Sequence, residues 1–143
     1  MSIDPRLEQL IRFFEQIDPS NVSQLSQVYT PDAFFKDPFN EVRGIDAITH
    51  IFRHMFDQVD SPRFIITNSV MQGEQAFLTW DFLFHMKRFS AEEHCIRGAT
   101  HVRFAADGRV NFHRDYWDAA EELYEKLPLL GSLMRALKRL ANR

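Results

Sequence analysis

Arg109-Val110-Asn111-Phe112-His113-Arg114-Asp115-Tyr116-Trp117-Asp118 follows the turn residues Ala105-Ala106-Asp107-Gly108 and reads as the closing strand of a sheet. Side chains alternate between faces along a strand, so His113, Asp115 and Trp117 share one side. A carboxylate between an imidazole and an indole is unusual on a plain core face, and it fits a pocket that holds an apolar ligand with one polar centre. Three further runs rich in β-branched and aromatic residues precede it, at 63–72, 75–87 and 92–104. Successive strands of this kind build an antiparallel sheet.

Upstream the period changes to that of helices. Asp4-Pro5 joins a capping residue to a proline suited to the first helical position, and Leu7, Leu10, Ile11 and Phe14 then recur at helical spacing until Asp18-Pro19 stops the helix. Ser20 is placed to cap a second helix carrying Val22, Leu25 and Val28. A short strand over 33–37 halts at Pro38. After Gly44, the spacing of Ile45, Ile48, Phe52, Met55, Phe56 and Val59 defines an amphipathic helix. Beyond the closing strand come a helix over 119–127, a break at Pro128 and a leucine-rich basic helix from Gly131. This order predicts an α+β fold: a curled antiparallel sheet wrapped around N-terminal helices, open at one end of the cone, with a C-terminal helical tail.

The chain of 143 residues is expected to form one domain over 1–143, with 119–143 as its tail. A net charge of -3 supplies no general field for phosphates, so nucleic acid is not the expected partner. The single Cys95 excludes an internal disulfide and a zinc cluster. The polar start Met1-Ser2-Ile3-Asp4-Pro5-Arg6 does not read as an export signal, and no apolar run reaches the roughly 18 residues of a membrane span. A cytoplasmic protein is expected, without a cofactor. Fourteen Phe give a bulky core or one that also lines an apolar cavity.

Four short segments carry a resemblance: Asp37-Pro38, Glu41-Val42-Arg43-Gly44, Asp107-Gly108-Arg109-Val110 and, above all, Arg114-Asp115-Tyr116-Trp117-Asp118. Through them the chain resembles the SnoaL-like group of the NTF2-like superfamily, which includes ketosteroid isomerases, polyketide cyclases and limonene epoxide hydrolase. The resemblance implies a cone-shaped fold carrying either an enzyme or an inert binding module. Against the isomerase pattern, Asp37 falls on the proton-shuttling carboxylate, while Phe13 and Thr100 stand where the two oxyanion donors would be. Against the epoxide hydrolase pattern, Asp115 and Asp81 fall on the two carboxylates. Thr79 takes the place of the bridging arginine, Asp37 that of the asparagine, and Phe35 that of the tyrosine.

The residues alone leave choices open. On the strand over 75–87, Phe77, Thr79, Asp81 and Leu83 share one face, and Leu78, Trp80, Phe82 and Phe84 the other. With the first set in the cone, the Trp-Phe-Phe stripe lies outside and predicts a homodimer built on it. The opposite assignment puts Trp80 in the pocket and Asp81 in solvent. Asp37 either serves the cavity or caps a turn, or pairs with Lys36 or Arg43. Asp115 either serves the cavity or partners Arg114 or Arg97. Converging, Asp37, Asp81, Asp115 and His113 form an acid–base set, with Phe13, Phe35, Ile51, Phe52, Thr79, Thr100 and Trp117 shaping the wall around a small lipophilic substrate. The bland alternative is a buried polar network satisfied by water.

His50 and His54, four residues apart on one helix, have a metal-capable spacing but no third ligand, and are expected in solvent, with no metal. The basic tail, with Leu129, Leu130, Leu133, Met134, Leu137 and Leu140 against Arg135, Lys138, Arg139 and Arg143, is expected to dock over the cone mouth or a dimer seam rather than on a membrane.

Overall fold

A computed structural model describes residues 3–86, 92–122 and 128–142. Helix α1 (Pro5–Gln16) begins as its sequence predicts: the Asp4 side chain accepts from the Arg6 amide at 2.9 Å, and Leu7, Leu10 and Phe14 are buried along one stripe. The next segment is a 3-10 helix (Val22–Gln27) instead of the expected α-helix. Val22, Leu25 and Val28 recur every three residues, the period of a 3-10 turn, and all three are buried. Its entry is held by Asp18, whose Oδ1 accepts from the Ser20 and Asn21 amides at 2.8 and 3.2 Å.

Strand β1 (Tyr29–Lys36) starts earlier than the expected 33–37 and pairs with the short β2 (Glu41–Arg43). Pro31 sits where the register of β1 shifts, between Tyr29 and Phe34, so its missing amide breaks no regular ladder. Gly44, at φ 107°, opens α2 (Ile45–Gln58) in a conformation that disfavours a side chain. Strands β3 (Val59–Gln72), β4 (Gln75–Met86), β5 (Glu93–Phe104) and β6 (Val110–Tyr116) follow, and then α3 (Ala119–Glu122) and α4 (Pro128–Ala141). Pro128 begins α4, three residues before the expected Gly131, because a proline at the first helical position needs no amide partner. Lys87, the remainder of the expected 119–127 helix, the side chains of Leu129, Leu130, Leu133 and Met134, and Arg143 lie outside the described residues.

The six strands run in the order β2-β1-β6-β5-β4-β3. Each pair is antiparallel except β1 with β6, which corrects the expectation of a wholly antiparallel sheet. The cause is topological. Helix α2 carries the chain from one sheet edge to the other, and three successive hairpins bring β6 back to β1 running in the same direction. The sheet curls without closing, with α1 packed on β3 and α2 packed on the 3-10 helix, β1, β2 and β3.

Strand β4 decides what the inside of this curl contains. Ala76, Leu78, Trp80, Phe82 and Phe84 are buried on the concave side, whereas Phe77 and Thr79 are exposed and Asp81 and Leu83 half-buried on the convex side. Of the two assignments that alternation leaves open, the structure adopts the one that removes the most apolar area from water. The Trp-Phe-Phe stripe is therefore interior, not a dimer surface. Among the described residues no helix is long and apolar enough to cross a membrane.

Candidate functional site

Beneath α1 and α2, five side chains from four strands are joined by hydrogen bonds into one chain. The Trp80 indole N–H donates to Thr100 Oγ1 at 2.7 Å, and the Thr100 hydroxyl donates to Asp115 Oδ1 at 2.6 Å. From the other side, His113 Nε2 lies 2.7 Å from the same Oδ1, and His113 Nδ1 lies 2.8 Å from the Tyr29 hydroxyl. Tyr29 and His113 are only 0% and 2% exposed, so their polar atoms must be satisfied internally. One neutral tautomer does this: Tyr29 donates to Nδ1, and Nε2–H donates to the carboxylate. Every proton in the chain then points toward Asp115. Burial, with the Asp115 charge adding to it, pushes the Tyr29 phenol well above the ordinary tyrosine range and keeps it a donor.

Local sequence places these groups. His113 and Asp115 share the inner face of β6, Thr100 lies directly opposite Asp115 on β5, and Trp80 projects inward from β4. Trp80 stands across from Gly98, where an added Cβ would lie 2.5 Å from two indole carbons, so the absent side chain lets the ring lie flat and reach Thr100. The His113 ring is clamped by stacking on Phe35 at 4.6 Å between centroids and by edge contact with Phe14 at 5.8 Å. Among the described residues, both hydrogen bonds to the Asp115 carboxylate fall on Oδ1, leaving Oδ2 as the atom available to a ligand.

The network forms part of the wall of a cavity of about 580 Å³. Of the residues expected there, Asp37, Asp115, His113, Phe35, Ile51, Phe52, Thr100 and Trp117 line it. Asp81, Thr79 and Phe13 do not. Asp81 and Thr79 occupy the convex face of β4, where Asp81 stands opposite Arg97, because Trp80 and Phe82 take the interior. Phe13 is one helical position out of phase: Phe14 points into the cavity, and Phe13 lines an exterior groove beside Gln16 and Val28. Asp37 lines the rim but is largely engaged by its own turn. Its Oδ1 accepts from the Phe39 and Asn40 amides at 2.8 and 2.7 Å, and Oδ2 is 3.2 Å from the Asn40 side-chain amide. The turn-capping alternative thus describes its bonding. Asp115 bonds to Thr100 and His113 rather than to Arg114 or Arg97.

Some contributors were not legible beforehand. Tyr29 lies between an expected helix and an expected strand, and nothing local marks its hydroxyl as a partner for a residue 84 positions away. Gly98 did carry a signal, since a glycine inside a strand often marks a close approach. His50 and His54 were expected in solvent; both are exposed, yet they line the cavity from α2 together with Gln58. Among the described residues no group of three or more His, Cys, Asp or Glu is arranged to hold a metal ion.

Comparison with known proteins agrees with this architecture. The family model described as the SnoaL-like domain matches residues 10–113. A hypothetical protein with a ketosteroid isomerase-like fold from Catenulispora acidiphila DSM 44928, solved in complex with trimethylamine, is 14% identical. The match covers 85% of this chain and 92% of that one with a TM-score of 0.73. A candidate SnoaL-like polyketide cyclase from Jannaschia sp. CCS1 is 15% identical over 85% of this chain and 93% of that one, with a TM-score of 0.72. TerC, co-crystallised with polyporic acid, is 14% identical over 82% of this chain and 95% of that one, with a TM-score of 0.69. At such identities the likeness is one of fold. No curated protein matches the chain.

Proposed function

The chain belongs to the SnoaL-like domain family and has its NTF2-like α+β fold, and on that footing we propose that it is a cofactor-free acid–base enzyme acting on a small lipophilic molecule, with Asp115 as the general base. The observation that carries the reading is that His113 and Thr100, themselves held by Tyr29 and Trp80, both bond to one oxygen of Asp115, with the other oxygen left to the cavity. Such a network fixes the carboxylate without consuming it. Oδ2 takes a proton from a substrate C–H or O–H, giving the carboxylic acid, and returns it to a second atom of the same substrate. One bond to hydrogen breaks and another forms, and the carboxylate is regenerated. His113 and Thr100 are positioning residues in this scheme, since His113 is committed to Asp115 and Tyr29, and Thr100 to Asp115 and Trp80.

A single base that returns its proton suits isomerisation or cyclisation better than epoxide opening. Opening an epoxide calls for a second carboxyl to protonate the ring oxygen, and Asp81, the expected second acid, is on the convex face. Two relatives by fold are described with small molecules, trimethylamine and polyporic acid, which supports ligand binding as the use of the cavity. On this reading residues 1–143 act as one domain in the cytoplasm. The same reading pairs two copies through the convex face, where Ile65, Val70, Phe77 and Tyr116 are exposed. Among the described residues Asp115 is the one cavity carboxylate with an oxygen left without a hydrogen bond, and that isolation favours a second reading, a binding module without turnover.

Thermal-shift screening of lipophilic carbonyls, phenols and amines, followed by product analysis of every binder, separates the two. Turnover should fall by about 10²–10⁴ in Asp115→Asn and be unchanged in Asp81→Asn. Equal turnover by Asp115→Asn sinks the catalytic assignment, and binders recovered unchanged establish the binding module.

A further inference from the structure

We infer that the ligand of this cavity carries a positively charged centre, an ammonium group on a lipophilic frame. The inference rests on the reading of the cavity as a lipophilic-ligand site and names the charge of what it selects. The first observation is charge: among the described residues, the lining includes the carboxylates of Asp37 and Asp115 and no Lys or Arg. His113 is spent on its two partners, Asp115 and Tyr29, and no Lys or Arg offsets Asp115 within the network. A carboxylate in an apolar cavity without a countercharge attracts one from the ligand, and the low local dielectric strengthens that attraction.

The second observation is the geometry of the rings. Phe64 and Trp80 meet at 84° with centroids 5.9 Å apart, and Phe39 and Trp117 meet at 74° with centroids 5.6 Å apart. Each pair is an edge-to-face corner of the lining, and with Phe64 also stacked on Phe82 at 4.6 Å the aromatic wall as a whole offers a compact cation electron-rich ring faces, the surface that recognises alkylated ammonium groups. The inner corner is coupled to the carboxylate, because a single hydroxyl, that of Thr100, links Trp80 to Asp115. The outer corner adjoins Asp37, whose turn contains Phe39.

The third observation concerns donors. Stabilising an anion requires N–H or O–H groups aimed at it. Here the Trp80 N–H and the Thr100 O–H are spent on the network, and the Asn40 amide is bonded to Asp37. The remaining polar lining is the half-buried Trp117 indole N–H, a single donor, and His50, His54 and Gln58, which are on α2 and exposed. The interior therefore favours positive over negative charge.

The chain has two tryptophans, Trp80 and Trp117, and both line the cavity, so intrinsic fluorescence reports occupancy directly. The test titrates the full chain at pH 8 with benzyltrimethylammonium, with its uncharged carbon isostere neopentylbenzene and with phenylmethanesulfonate, using calorimetry alongside fluorescence. Benzyltrimethylammonium should bind on the order of tenfold more tightly than the isostere, and phenylmethanesulfonate more weakly than either. Asp115→Asn should reduce the cation's advantage to about threefold or less. Trp117→Leu should reduce it in part, and because it leaves the polar network intact it reports even where Asp115→Asn does not fold. Equal or tighter binding of the isostere or the sulfonate overturns the charge inference and leaves the acid–base assignment standing. Absence of binding by all three overturns the inference together with the lipophilic-site premise. Undiminished turnover in Asp115→Asn, by contrast, removes only the catalytic assignment.

Discussion

Replacing Gly98 by alanine tests whether the site is built by close packing between β4 and β5. An alanine methyl there would lie 2.5 Å from Cη2 and Cζ2 of Trp80 and 3.1 Å from Cβ of Trp117. The indole is a rigid ring whose N–H is held 2.7 Å from Thr100, so it cannot move aside without losing that bond. Overpacking of this kind costs about 1–3 kcal/mol, and the lost hydrogen bond about 0.5–1.5 kcal/mol. Removing a glycine from a strand interior offsets roughly 0.5–1 kcal/mol. The net expectation is a destabilisation of about 2 kcal/mol, which for a chain of this size lowers the melting temperature by roughly 4–8 °C. Differential scanning calorimetry measures the shift, and tryptophan emission reports whether the ring has moved. In a Trp80→Leu background the same glycine change should cost under about 1 kcal/mol, because the indole clash is gone and only the 3.1 Å approach to Trp117 Cβ is left. An unchanged or raised melting temperature in Gly98→Ala, with unaltered emission, would refute the packing argument.

Two further outcomes follow from the same geometry. Tyr29→Phe leaves Nδ1 of His113 without its donor and should cost about 1–3 kcal/mol in urea unfolding at pH 7. It should also remove an alkaline dependence. The unfolded tyrosine loses its proton near 10.0 while the folded one, with its affinity raised by burial, keeps it. Wild-type stability is therefore intact below that pH and falls above it, by up to about 1.4 kcal/mol per pH unit, until the folded phenol ionises; a similar slope in Tyr29→Phe would place its origin elsewhere. On the convex face, Val70 is 67% and Phe77 46% exposed, and a glutamate at either position should shift sedimentation from dimer to monomer without altering ligand binding in the cavity. A wild-type monomer would dispose of the proposed dimer.

How much could be read in advance differs from element to element, for physical reasons. Helices α1 and α2 were legible because capping and periodicity are local: Asp4-Pro5 and the stripe through Leu7, Leu10 and Phe14 carry their own instructions. The 3-10 helix departs from the expected α-helix because a spacing of three also satisfies an α-helical pattern over so short a span. His113, Asp115 and Trp117 shared a face as alternation along one strand requires. Strand β4 was harder, since alternation defines two faces without saying which is inside, and the Asp81 position depended on that choice.

The amino-acid order by itself determined the α+β class, the longer helices and strands in their order though not the short β2, and the one-sided grouping at the end of β6, because each of these depends on neighbours a few residues apart. Only the tertiary structure decided that β1 and β6 run parallel, that Trp80 rather than Asp81 faces the cavity, and that Tyr29 reaches His113. These outcomes depend on which residues lie opposite one another after the sheet curls. That pairing is set by the packing of the whole chain, since burying the largest apolar area and satisfying each enclosed polar atom are conditions that no short segment can meet alone.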